Sequence, residues 1–255
     1  MPNPRITAIL SLKGGVGKTT SAVNIAACIA QAGRKTLLVD LDPYTGASVH
    51  LGVKIEELDK TIADVLTDPE ANISEAVYET ANKNLFIAPS DESLASCEAE
   101  LEGEIGRENF LLEAFGEHVN GYDFVIIDLP PTSSFLTVSA LRVSREVLVP
   151  FRTSFMGIEV VEEINELVEK VRHRLNPDIR ILGYFGTMYE QRTKESQLSL
   201  DDMRQKYGDK VFKTVIPANT KLAEAPRSGV SGMEYARSSS GAKSYKALVR
   251  EAFGI

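Results

Sequence analysis

An apolar run of strand length, residues 6–10 (ITAIL), leads within a few positions into KGGVGKTT at 13–20, and a helical pattern begins inside that motif at Lys18. No other feature constrains the chain so tightly. Glycines leave no Cβ to block close approach, so the backbone N–H groups of Gly14, Gly15, Val16 and Gly17 can wrap an anion. The positive end of the following helix supports the same charge. Such a strand–loop–helix is a phosphate cradle: Lys18 reaches the β- and γ-phosphates of a nucleotide, the Thr19 hydroxyl ligates Mg²⁺, and Thr20 contacts the α-phosphate. The pattern G-x-x-x-x-G-K-[ST] is not strictly met. Its first glycine would fall at Leu12, and a lysine, Lys13, stands before the glycine pair.

The remaining chain alternates strand and helix. Apolar runs at 36–39 (TLLV), 84–88 (NLFIA), 122–127 (YDFVII), 146–150 (EVLVP), 180–188 (RILGYFGTM) and 211–216 read as strands, the last closing the sheet. Helical spacing predicts helices over 18–32, 157–175 and 243–253. Continuous rather than alternating apolar runs mean strands buried on both faces. The expected fold is therefore a doubly wound, mostly parallel α/β sheet with helices on both faces, a P-loop NTPase. No repeat, low-complexity tract or linker divides it, so a single domain spans 1–255.

Composition fits a soluble globule, 43% hydrophobic and 25% charged. No apolar run approaches the roughly 20 residues of a membrane span, and residues 1–12 lack a signal-peptide pattern. Cys28 and Cys97 suggest no disulfide framework. These features point to the cytoplasm. The net charge of −8 hides an asymmetry: residues 1–179 carry 15 Lys+Arg against 28 Asp+Glu, and 180–255 carry 13 against 8, so −13 and +5 sum to −8. A locally basic surface can meet a polyanion on an acidic protein. Residues 91–117, with nine carboxylates and Arg107, read as a solvated face. The stretch 243–253 reads as a C-terminal helix packed on the core.

The form K-G-G-x-G-K-[ST] resembles the ParA/MinD family of deviant Walker A ATPases, closest to its ParA partitioning and cargo-positioning branch. VDLDP at 39–43 is similar to that family's switch I. FVIIDLPP at 124–131 is similar to its Walker B strand and switch II, and TMYEQRT at 187–193 and IPANTKLAEAP at 216–226 look like its late segments. The resemblance implies a slow, partner-stimulated ATP hydrolase with ATP and Mg²⁺ as cofactors. It gives Lys13 a place across the subunit interface on the partner's ATP, so that ATP joins a homodimer. Asp42 then orients the attacking water, Asp128 holds Mg²⁺ through water, and Asp40 is either a further metal-supporting carboxylate or a hydrogen-bond orienter. Pro217 and Asn219 fall near the adenine. Arg192 and Lys221 match DNA-binding positions, with Arg227, Arg237 and Lys243 able to extend the patch. Contacts of that kind go to phosphates and ignore sequence. The expected partners are non-specific DNA and a ParB-like or cargo-adaptor protein, with nucleoid association and no stable membrane anchoring.

The chain departs from the family after switch I, where Gln-Gly-Asn-Ala is usual and Tyr44-Thr45-Gly46-Ala47 stands here. After Asp128 it has Leu129 in place of the usual cysteine. Two rival functions share the nucleotide residues: a MinD-like membrane-associated positioning ATPase and a nucleotide-gated scaffold with little hydrolysis. The ending Phe253-Gly254-Ile255 adds no amphipathic tail for the first, whereas the altered switch I suits the second.

Overall fold

The computed structural model describes residues 3–154 and 157–255. Seven strands form one sheet: β1 (Arg5–Ile9), β2 (Thr36–Asp40), β3 (Tyr78–Glu79), β4 (Leu85–Ala88), β5 (Phe124–Asp128), β6 (Glu146–Arg152) and β7 (Arg180–Thr187). Their order is β3-β4-β2-β5-β1-β6-β7, and every pairing is parallel except β3 with β4. The two faces are equally dry. Along β2, Leu37 and Val39 enter one core and Leu38 the other; along β5, Val125 and Ile127 oppose Phe124 and Ile126. A strand's side chains alternate between faces, so an unbroken apolar run is what a sheet covered on both sides requires.

One face is covered by α1 (Lys18–Gln31), α2 (Gly46–His50) and the C-terminal helix. The other is covered by α3 (Ile62–Thr67), α4 (Ser93–Glu100), α5 (Phe110–Phe115), α6 (Phe135–Val143), α7 (Gly157–Arg174) and α8 (Lys194–Tyr207). Two short helices, α9 (Thr220–Glu224) and α10 (Gly232–Tyr235), lead into α11 (Ser240–Phe253). As expected, α11 packs on the core: Tyr245, Leu248, Val249 and Phe253 are buried, and the Tyr245 hydroxyl lies 2.9 Å from Ser21 Oγ on α1. Within 91–117 the solvated face is real, yet Leu94, Cys97, Leu111, Ala114 and Phe115 point inward. Cys28 and Cys97 are buried and form no disulfide, and burial pushes the Cys28 thiol up to about 12.

The sheet closes differently from the expectation at one point. Residues 211–216 are not a strand; they meet β7 at an isolated bridge, Val211 with Tyr184, and through separate bonds from the Phe212 N–H to the Tyr184 carbonyl and from the Ile216 N–H to the Gly186 carbonyl, each 2.8 Å. The N–H groups of Lys213 and Thr214 donate instead to the two carboxylate oxygens of Glu251, at 2.7 and 3.0 Å. A side chain of α11 thereby satisfies donors that a strand would give to a neighbour. The seventh strand is the two-residue β3, too short to leave a periodic trace in the sequence.

At the amino edge of the sheet, Glu146 is buried and accepts from Arg5 Nε at 2.6 Å and Arg180 Nη2 at 2.5 Å. Burial alone would raise its pKa; the two guanidiniums more than reverse this and hold it below the usual carboxylate range. No helix among the described residues is long and apolar enough to cross a membrane.

Candidate functional site

The three central strands β2, β5 and β1 deliver their last residues to one edge. Asp40 pairs in register with Asp128, and Asp128 with Ile9. The loop after β1 begins here, in the crevice outside the carboxyl ends of the strands where open α/β sheets bind ligands. Gly15 and Gly17 adopt φ of +72° and +81°, a left-handed conformation that side chains other than glycine disfavour. Gly17 caps α1 with no side-chain cap bond, leaving the first N–H groups of that helix directed at the loop. The fold thus needs glycine where an anion also needs bare backbone.

Lys13, Gly14, Gly15, Lys18, Thr19 and Asp42 line a cleft of about 330 Å³. Lys18 is only 7% exposed, with its Nζ 3.8 Å from both Asp42 Oδ2 and Asp128 Oδ1. Lys13 sits half-buried at the lip, in no ion pair with a carboxylate among the described residues. Asp128 is fully buried, and its carboxylate faces the Lys18 ammonium and the Thr19 hydroxyl. Burial pushes its pKa up to about 7, opposed by Lys18 and aided by Asp40 and Asp42.

Mg²⁺ fits this arrangement. Buried carboxylate oxygens beside a helix-start hydroxyl, Thr19, are the hard oxygen donors that the ion takes. Among the described residues no cluster of three or more His, Cys, Asp or Glu could hold a metal alone. Asp40 has its oxygens occupied within the protein: Oδ1 accepts from the Asp42 N–H at 3.2 Å, and Oδ2 from the Ser48 N–H and hydroxyl at 2.8 and 2.7 Å. Burial raises its pKa to about 6 against those bonds. This geometry favours orientation over metal contact for Asp40.

A second cavity of about 250 Å³ adjoins the first through Gly17, Thr20 and Met188, and Pro217, Asn219 and Leu222 complete it. Its lining is largely apolar, as an adenine ring requires. The late segments meet here because Tyr189 bridges Pro217, with the Ala218 N–H donating to the Tyr189 carbonyl at 3.2 Å. Asn219 caps α9 through its side-chain oxygen and donates to Ser240 Oγ at 2.8 Å. Arg192 is exposed and in no ion pair among the described residues, whereas Lys221 pairs with Glu224 at 2.8 Å on its own helix.

Three contributors escape the sequence reading. The Thr187 hydroxyl lies 2.8 Å from the Val16 carbonyl oxygen, tying the loop to β7. Met188, at φ +51°, lines both cavities. Ser48 fixes α2 to Asp40. Thr187 and Met188 fall inside TMYEQRT, which drew notice only as a late segment; nothing in the sequence marks Ser48.

A family model described as an AAA domain matches residues 4–181. The chromosome-partitioning ATPase Soj of Treponema pallidum is 40% identical over 239 residues, covering 94% of this chain and 93% of that protein. The sporulation initiation inhibitor protein Soj of Bacillus subtilis is 37% identical over 247 residues, 97% of both. Among solved structures, cobyrinic acid a,c-diamide synthase from Mycobacterium smegmatis with bound ATP analogue and magnesium superposes with a TM-score of 0.84 at 30% identity, covering 96% of this chain and 93% of that one.

Proposed function

For a chain that belongs to the ParA/MinD family of P-loop ATPases, as this one does, we propose a partitioning ATPase. It closes an ATP-sandwich homodimer, binds duplex DNA without sequence preference in that state, and hydrolyses ATP slowly to position DNA or another large cargo. The observation that carries this reading is the buried Lys18 held between Asp42 and Asp128 beneath a bare-backbone loop. It supports the reading because phosphoryl transfer to water needs a phosphate cation, a water-orienting carboxylate and a metal-bearing carboxylate close together, and Lys18, Asp42 and Asp128 could fill those roles.

In this reading Lys18 leaves its two carboxylates for the β- and γ-phosphates. The N–H groups of Gly14 to Gly17 and the Thr20 side chain hold the phosphate chain, and Pro217 and Asn219 flank the adenine. Thr19 directly and Asp128 through water would hold Mg²⁺, which would supply charge screening at the phosphates. Asp42, released from Lys18, accepts a hydrogen bond from the attacking water, while Asp40 keeps the Asp42 turn in place through Ser48. Lys13, in no ion pair with a carboxylate among the described residues, crosses to the second subunit's phosphates. Two facing nucleotides repel strongly, and cations from both protomers let the interface close.

Arg192 and Lys221 carry the DNA contact, beside the adenine pocket on the basic third of the chain. A ParB-like or cargo-adaptor protein stimulates turnover, and the ATP state associates with the nucleoid. Binding of a duplex of arbitrary sequence, measured with ATP, ADP or no nucleotide at two salt concentrations, tests this. Binding only with ATP, weakened by salt and by Arg192→Ala/Lys221→Ala, is expected. ATP-dependent dimerisation with no DNA binding in any state would replace the reading by a membrane-associated or scaffold role.

A further inference from the structure

Helix α2, which follows the Asp42 turn, and the Arg227-bearing turn that follows α9 meet at a close backbone-to-backbone approach. The helix is tied to Asp40 through Ser48 and ends at His50, two residues before Gly52, whose φ is +72°. Gly52 lies against Gly229, φ +65°, at the end of the short helical turn Ala225–Ser228. A Cβ on Gly52 would stand 3.1 Å from both the Cα and the carbonyl oxygen of Gly229, and one on Gly229 would stand 2.9 Å from the Gly52 Cα. Only two glycines allow this approach. No flexible side chain lies between them to absorb a shift, and close-packed contacts transmit displacement rather than damp it.

The far end of the same segment is locked. Leu222 fills the space beside Gly232 and Gly241, where an added Cβ would come within 2.5 and 2.6 Å of it. A push from α2 therefore falls on residues 225–229, which include the exposed Arg227. The near end has a cause to respond: Lys18 Nζ lies 3.8 Å from Asp42, and a nucleotide phosphate would compete with that carboxylate for the same ammonium.

We propose that the Gly52–Gly229 contact couples the nucleotide state of the Asp42 turn to the position of the Arg227-bearing turn, and so regulates the DNA-binding face. The regulatory meaning rests on the DNA-binding reading above; the mechanical coupling does not. Two differential states sensed at two separate sites are what such coupling requires.

The experiment is amide hydrogen exchange without DNA, comparing a non-hydrolysable ATP analogue plus Mg²⁺ with ADP plus Mg²⁺. It uses the wild type and Lys13→Ala, the latter to suppress dimer closure. Peptides covering 45–52 and 225–230 are expected to change together, by about threefold or more in exchange rate, in both proteins. A response at 45–52 without one at 225–230, no response at either, or a joint response confined to the wild type would each overturn the coupling. Gly229→Ala supplies the second arm, with an expected loss of about tenfold in the ATP-over-ADP ratio of DNA affinity. An unchanged ratio in the folded variant would refute the regulatory role. Should the wild type bind no DNA in any state, the DNA-binding reading falls, while the exchange arm, which needs no substitution at either glycine, still decides the coupling.

Discussion

Thr45 is a β-branched residue held at φ +56°, ψ +27°, where glycine is the residue at ease. An L side chain in the left-handed region costs about 1–2 kcal/mol, from its Cβ crowding the following carbonyl. The Thr45 side chain makes no capping bond to offset this. What holds the residue there is backbone: its N–H donates to the Asp42 carbonyl at 2.8 Å and its carbonyl accepts from Val49 at 2.9 Å. Thr45→Gly removes the clash and keeps both bonds, while the freer unfolded chain takes back about 0.5–1 kcal/mol. The net expectation is a gain of about 0.5–1 kcal/mol, or roughly 1–3 °C in Tm for a chain of this size. Thermal unfolding of the nucleotide-free protein, followed by circular dichroism, measures it. Thr45→Ala is the decisive control, because it keeps the Cβ and should gain nothing. If alanine stabilises as much as glycine, or if glycine lowers Tm, the strain argument is wrong.

Other substitutions probe separate parts. Glu146→Gln leaves the Arg5 and Arg180 guanidiniums facing a neutral amide and should destabilise by about 1–2 kcal/mol at pH 7, discounted for the partial exposure of both arginines. Because the folded pKa is depressed, the carboxylate's contribution is fully present above the unfolded value near 4.5 and vanishes as pH falls through the folded one, so denaturation curves of the two proteins should converge in acid. Tyr245→Phe deletes the buried hydroxyl contact with Ser21 and should lower stability by about 1 kcal/mol, read as a shifted urea midpoint with an unchanged slope. Asp42→Ala should reduce ATP turnover by about a hundredfold or more while Mg-ATP still raises Tm, since the water loses its partner and the phosphate cradle stays intact. Loss of that thermal shift would mean that Asp42 serves binding rather than hydrolysis.

Most of the sheet was legible because its strands are buried on both faces: ITAIL, TLLV and FVII can be little else between helices. The loop between β1 and α1 was legible for a different reason, since its glycines mark a turn that needs positive φ, as found at Gly15 and Gly17. Residues 211–216 misled because the run does not disclose that Glu251, on the last helix, takes the N–H groups of Lys213 and Thr214 in its middle. The placement of Asp40 was beyond reach for a similar reason: an aspartate at a strand end reads alike whether its oxygens face a metal or Ser48. Met188 and Ser48 owe their roles to neighbours distant in sequence, and no local pattern announces them.

In the reading proposed above, the lysine at 18 would also set an order of events. A cation arriving alone meets carboxylates already answered by an ammonium 3.8 Å away, and a nucleotide arriving must exchange one set of anions for another. Entry is thus a swap of counterions, which blunts the response of nucleotide affinity to added salt compared with an unpaired lysine. The same swap uncovers Asp42 and Asp128 only when phosphate has taken the lysine. The acidic groups fall idle whenever the cleft has nothing to cut.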